Sequence, residues 1–328
     1  MVTMPPGGQP VGSPALIEIV VPARNEARRL PDGLAALYRK AAALPVPAAI
    51  LVVDSASTDA TSEVVRRWPD GPVAVRLLHC ARPGKGLAVR TGLLATRAPF
   101  VGFCDADMAT DLSALDVAIA LLAAGNSLVV GSRGLASSVV TNRHSAVRRA
   151  GAAVFRAMAR QVVPGATDTQ CGFKFFSGPL VRAAALRLTT QSFAFDIELI
   201  ALCQRLGATL IEFPVCWRDM PGSTFSVPRH SAAALRDVAA IWLNHRPGRA
   251  GAARAVTLAQ AGNPLALRVG AGPLAAVPGL ADARQRLPDA GHGLPVGPAL
   301  PDAGGGLLAA GHAVPGTGQA LPTGVTGA

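Results

Sequence analysis

Between residues 15 and 245, short apolar runs rich in β-branched residues alternate with stretches of helical spacing. The runs are LIEIVV (16–21), AILVVD (49–54), VAVRLL (73–78), FVGFCD (100–105), SLVVGS (127–132) and ATLIEFPVC (208–216). Continuous apolar runs of this length predict strands covered on both faces, and the helices between them predict parallel neighbours. The expected class is α/β: a mostly parallel, Rossmann-like sheet with helices on both faces. In open sheets of that kind ligands bind beyond the carboxyl ends of the strands. Polar clusters stand at those ends: PARNE (22–26), DSASTD (54–59), DAD (105–107) and GSR (131–133). Several loops are therefore expected to converge on one edge.

A further helix is expected between His144 and Val163, where Val147, Ala150, Val154, Met158 and Val162 recur at helical spacing. Arg148, Arg149, Arg156 and Arg160 lie largely off that stripe, in a segment, 117–167, that holds no acid. Two readings stay open: a membrane-surface element, or a core-packed helix with solvated arginines.

Composition changes near Arg246. The segment 246–328 has no aromatic residue and holds 17 of the 35 glycines. Such a segment offers little apolar surface to offset the entropy of ordering, so it is expected to be a disordered tail. The domain boundaries expected are a flexible N-terminus (1–15), a folded domain (16–245) and this tail (246–328). Six arginines and three aspartates in the tail leave +8 of the net +11 on the rest of the chain. A basic surface favours an anionic partner but does not choose among nucleic acid, membrane and phosphorylated substrate. The five cysteines are widely spaced with no C-x-x-C pair, which argues against a zinc ribbon or a disulfide framework. With neither a signal-peptide pattern nor a spanning apolar run, a cytoplasmic location is the expectation.

Asp105-Ala106-Asp107 carries the sharpest chemistry. Alternation along a strand would point both carboxylates to one side, where they can face a hard divalent cation bridging a diphosphate; a loop with helix-capping aspartates is the plainer alternative. Asp54 closes the second strand and suits a base or ribose hydroxyl, whereas Asp59 or Thr58 reads as a helix N-cap. Arg82-Pro83-Gly84-Lys85-Gly86 is a glycine loop entering a helix, suited to an anion or simply a tight turn with a solvated lysine. In DTQCGFKFF (168–176), Cys171 reads as a buried thiol and Lys174 as a snorkelling lysine in a strand. There is no nucleophile elbow, and no histidine is placed beside a Cys or Ser motif.

Taken in order, PARNE, VVDSASTDAT, RPGKGLAVRTGL, FCDAD, VVGSR, DTQCGFKFF, FAFDIELI and PGSTF resemble the family-2 inverting glycosyltransferases of GT-A fold. They are most similar to the dolichyl-phosphate β-glucosyltransferase and polyprenyl-phosphate sugar synthase branch. The resemblance spans about residues 16–228 and implies a GT-A sheet, a nucleotide-sugar donor, a polyprenyl phosphate acceptor and Mg2+ or Mn2+. It places Pro22, Ala23, Arg24, Glu26, Asp54, Ser55, Lys85 and Ala106 at the nucleotide, and Asp105 and Asp107 at the metal and diphosphate, with Asp107 favoured as the direct ligand. Arg133 and Lys174 are placed at the acceptor phosphate or departing diphosphate, with Asp168 and Arg218 on the acceptor side. Asp196 and Glu198 fall where related enzymes keep acids near the acceptor. The chain departs from the family at Ser55, where a second aspartate is usual, at Arg24, where an aromatic residue is common, and at Thr224, where a lysine often follows Gly-Ser. The resemblance also implies peripheral contact with an anionic membrane at its inner face and no nucleic-acid partner. A transferase acting on a soluble or cell-wall precursor acceptor is the alternative. A nucleic-acid-binding protein is the remote one, disfavoured because no zinc finger or RNP-type aromatic motif is present.

Overall fold

The computed structural model of the chain describes residues 14–141, 146–220, 227–244 and 256–257. In chain order the elements are β1 (Ile17–Ala23), α1 (Leu30–Ala42), β2 (Ala48–Ser55), α2 (Thr61–Arg66), β3 (Ala74–Cys80), α3 (Lys85–Ala95), β4 (Phe100–Cys104), α4 (Ala114–Ala123), β5 (Leu128–Ser132), β6 (Val139–Thr141), α5 (Ala146–Val162), β7 (Phe173–Ser177), α6 (Gly178–Arg187), α7 (Phe195–Arg205), β8 (Leu210–Pro214), β9 (Cys216–Arg218), α8 (Val227–Asn244) and β10 (Val256–Thr257). Eight strands form one sheet in the order β10-β8-β5-β7-β4-β1-β2-β3, and β6 pairs with β9 in a separate ribbon. Every pair in the large sheet is parallel except the two made by β7.

The apolar runs do not alternate with polar residues because both sheet faces are covered. Val20, Leu51, Val53, Phe103 and Phe176 pack against α3, α5, α6, α7 and α8. Their strand neighbours Ile19, Val21, Ile50, Val52 and Phe175 pack against α1, α2 and α4 on the other face. The run 208–216 divides after Pro214: β8 stays in the sheet, while β9 leaves it to pair with β6.

The strand expected around Lys174 is β7, whose place inside the sheet the apolar runs did not indicate. It enters antiparallel between β4 and β5, with Lys174 opposite Phe103 and Val130. Gly102 makes room for it, because a Cβ at that position would strike the Phe175 ring. Its reversed direction has a consequence for function. The segment leading into β7, 168–172, arrives at the edge where the parallel strands end.

α5 forms as expected, with Ala159 and Val162 buried and Arg156 and Arg160 exposed. Arg143, Thr224 and the PGSTF segment, and the side chains of Arg148 and Arg149, lie outside the described residues. Of the 246–328 extension the described part is Val256–Thr257, which pairs with Ile211 and Glu212 as β10; the rest of that expectation, and most of 1–15, lie outside the described residues. Among the described residues no helix is long and apolar enough to cross a membrane.

Candidate active site

Three loops at the carboxyl edge each contain one non-glycine residue with left-handed backbone: Asn25 (φ 54°), Ala56 (φ 52°) and Met108 (φ 47°). Such conformations persist where the surroundings over-determine them, and they cluster at functional sites. The first two loops are laced together. Asn25 N–H donates to Ser57 Oγ (3.0 Å), Thr58 N–H donates to Asn25 Oδ1 (2.9 Å), and Ala27 N–H donates to Asp59 Oδ2 (3.1 Å). Asp59 also accepts the Thr61 N–H (3.0 Å), but the N-cap position of α2 is taken by Ala60, so the cap expected of Asp59 or Thr58 is not formed. Pro22 and Ala23 end β1 beside Val53 and Asp54, buried, while Arg24 is exposed. Glu26 is gripped by Arg29 through two hydrogen bonds of 2.7 and 2.6 Å. Burial raises its carboxyl above the usual range, against the pull of Arg29.

Asp54 and Ser55 are turned inward. Asp54 accepts the Ser57 N–H (3.0 Å) and the Ser62 hydroxyl, so both its oxygens already serve the loop. Ser55, expected as a weakened base contact, instead accepts the Gly84 N–H (3.0 Å) and thereby pins the glycine loop ahead of α3. That loop delivers Lys85 to Asp105, with Nζ and Oδ1 2.7 Å apart.

The carboxylate pair does not arise from strand alternation as expected, because β4 ends at Cys104. A turn brings it together: Met108 N–H donates to Asp105 O (3.1 Å) across the strained Met108, with Ala106 buried at its centre. Gly172 supplies the space, since a Cβ there would overlap the Asp105 carboxylate. Burial opposes ionisation of Asp105, but Lys85 beside it, with Lys174 and Arg133 farther off, holds its carboxyl below the usual range. Burial and then the Asp105 charge push Asp107 up. Asp107 accepts one backbone N–H, from Ala109 at 3.2 Å. A largely buried carboxylate beside a second one, with a single backbone hydrogen bond, fits a divalent cation, whose charge would relieve the repulsion. Among the described residues no group of three His, Cys, Asp or Glu could hold a metal, so further ligands would have to come from diphosphate and water.

Lys174, expected at a phosphate, and Asp196 and Asp168, expected on the acceptor side, are all buried, and their roles are corrected. Lys174 is completely buried; its Nζ donates to Asp196 Oδ1 and to Cys171 O, each at 2.5 Å, with the Phe103 ring 5.2 Å away. It supplies field from beneath the site, and Asp196, itself 2% exposed, is its counter-ion and cannot meet an acceptor. Asp168 is likewise buried; it accepts Nε–H (2.6 Å), Nη2–H (3.0 Å) and the backbone N–H (3.1 Å) of Arg133. Burial opposes this, but Arg133 holds the Asp168 carboxyl down to about 2. Arg133 is the partly exposed member, its guanidinium 5.4 Å over the Trp217 ring. Arg218 is exposed on β9, and its N–H donates to Ala109 O (2.8 Å), which ties the ribbon to the carboxylate turn. Glu198 lies buried, receiving the N–H groups of Thr189 and Thr190. Sequence reasoning missed Gly172 and Trp217 as builders of the site; it also passed over Glu212, whose signal is an acid inside an otherwise apolar run.

A family model described as Glycosyl transferase family 2 matches residues 18–179. Dolichyl-phosphate beta-glucosyltransferase of Drosophila melanogaster is 33% identical over 261 residues, covering 72% of this chain and 77% of that protein. The protein of the same name in Homo sapiens is 30% identical, covering 63% and 68%. Among solved structures, glucosyl-3-phosphoglycerate synthase from Mycobacterium tuberculosis in complex with Mn2+ and uridine-diphosphate-glucose aligns with a TM-score of 0.51 at 19% identity, covering 72% of this chain and 81% of that one. The same synthase with uridine-diphosphate aligns at 0.51 and 20%, covering 76% and 89%. At those identities the likeness is one of fold.

Proposed function

The chain belongs to glycosyl transferase family 2, and on that premise we propose that it moves a glucosyl unit from a nucleoside-diphosphate sugar onto a polyprenyl phosphate. The observation that carries the reading is the Asp105–Asp107 turn at the carboxyl edge with Lys85 held against it. Asp105 and Asp107 would hold Mg2+ or Mn2+, which supplies positive charge to the leaving diphosphate. Lys85, at the amino end of α3, adds a second cation on the same side. The loops ending β1 and β2 border the place of the nucleoside, with Arg24 free to stack on a base.

Arg133, oriented by Asp168 and stacked on Trp217, faces the acceptor phosphate, and Arg218 extends that basic rim. A phosphate oxygen of the acceptor attacks the anomeric carbon; its new C–O bond forms as the bond to the diphosphate breaks, and the nucleoside diphosphate departs. The family resemblance implies inversion. A lipid phosphate is already ionised near neutral pH, so positioning and charge neutralisation replace a general base. That requirement agrees with the burial of Asp196. Exposed arginines on α5 support peripheral contact with an anionic membrane.

The test supplies radiolabelled nucleotide-glucose with polyprenyl phosphate and with aqueous acceptors. Label is expected in the organic phase, dependent on the metal, and reduced at least about 10²-fold in Asp107→Ala. Label confined to the aqueous phase would move the assignment to a soluble or cell-wall precursor acceptor. Undiminished turnover of Asp107→Ala at saturating metal would defeat the metal assignment.

A further inference from the structure

Glu212 occupies a core position of β8, wholly buried, opposite Val130 of β5. Burying a carboxylate is costly unless donors replace its water. Three do: Oε2 accepts the Thr167 N–H (2.9 Å), and Oε1 accepts the Thr167 hydroxyl (2.9 Å) and the Asp168 N–H (3.0 Å). With the Thr167 hydroxyl donating to Glu212, the Ser132 hydroxyl 2.6 Å away donates to Thr167, and Ser132 Oγ in turn accepts the Gly134 N–H (3.3 Å). The buried charge thus clamps both sides of Arg133. Through Ser132 it holds the end of β5, and through the 167–168 peptide it holds Asp168, which takes three N–H groups of Arg133.

We propose that Glu212 is a positioning residue for acceptor binding, setting the Arg133 guanidinium through Thr167 and Asp168 without touching any ligand. The inference rests on the reading of Arg133 as the acceptor-phosphate cation. It explains why a charge is kept where the strand pattern calls for an apolar residue: all three groups facing Glu212 are donors, so only an acceptor with no hydrogen of its own satisfies them together. An amide cannot, because its NH2 would confront one of those donors.

The experiment measures steady-state constants for farnesyl phosphate in detergent and for the nucleotide-sugar donor, in Glu212→Gln, Arg133→Ala and the double variant. Glu212→Gln is expected to raise the acceptor KM about tenfold, roughly one charge-assisted hydrogen bond, while the donor KM stays within about twofold. The double variant is expected to match Arg133→Ala alone, because acting through one guanidinium makes the two effects non-additive. An unchanged acceptor KM, a parallel rise in both KM values, or a full additional loss in the Arg133→Ala background would overturn the proposal. Arg133→Ala with a wild-type acceptor KM would instead defeat the acceptor reading of Arg133, a separate failure. Should Glu212→Gln fold poorly, Thr167→Val removes one of the three donors and is read by the same criteria.

Discussion

Gly172 shows how the site depends on an absent side chain. The Asp105 carboxylate fills the space a Cβ at 172 would take, so Gly172→Ala must displace either the β7 approach or the carboxylate. Displacements near 1 Å at a reacting centre cost on the order of 10²-fold in rate. Gly172→Ala is accordingly expected to lose about that much turnover, while its circular-dichroism spectrum stays native. Full turnover would mean that Asp105 tolerates displacement. The glycine lies in DTQCGFK, the most specific motif of the chain, yet no local pattern names the residue across the sheet that it makes room for. The same limit applies to Asp54 and Ser55. Their place at the end of β2 was legible, but their inward bonds to Ser62 and Gly84 come from segments that meet only in the fold. Asp105 and Asp107 were legible as a pair because adjacency in sequence survives folding, even though a turn and not strand alternation unites them.

Among the elements, the parallel strands were readable because cover on both faces demands unbroken β-branched runs. A strand around Lys174 was readable too, but the place and direction of β7 were not, because its neighbours, β4 and β5, are set by long-range pairing. That lysine makes a testable energetic claim. Its ion pair with Asp196 is buried, and breaking such a pair from one side leaves a bare charge, typically a loss of about 3–5 kcal/mol, whereas replacing both members by apolar residues is often neutral. Lys174→Met is expected to lose stability on that scale in urea unfolding, and Lys174→Met with Asp196→Leu to recover most of it. A double variant as unstable as the single one would show that the Cys171 carbonyl contact, not the ion pair, is what Lys174 contributes. Activity separates structure from field: the repacked variant keeps its sheet but loses the Lys174 charge that helps keep Asp105 ionised, so its turnover is expected to stay below wild type.

At the scale of the whole molecule, a net charge of +11 favours an anionic partner, and the proposed acceptor resides in an anionic surface. Among the described side chains of α5, Ala159 and Val162 are buried and Phe155 and Met158 pack against the core, while Arg156 and Arg160 are exposed, so this part of the helix offers a membrane its charges. This decides between two kinds of attachment. A helix that inserts an apolar face holds on in high salt, whereas charge attraction fades once the Debye length falls from about 10 Å at 0.1 M to about 3 Å at 1 M. The protein is therefore expected to sediment with phosphatidylglycerol vesicles at low salt and to be released by about 0.5 M NaCl. Each basic residue near an anionic surface contributes about 1 kcal/mol. Arg156→Glu with Arg160→Glu should consequently weaken vesicle binding by more than tenfold while leaving turnover on farnesyl phosphate in detergent unchanged. Salt-resistant sedimentation would place an apolar element at the membrane instead, and unaltered binding of the charge-reversed protein would move the contact away from α5.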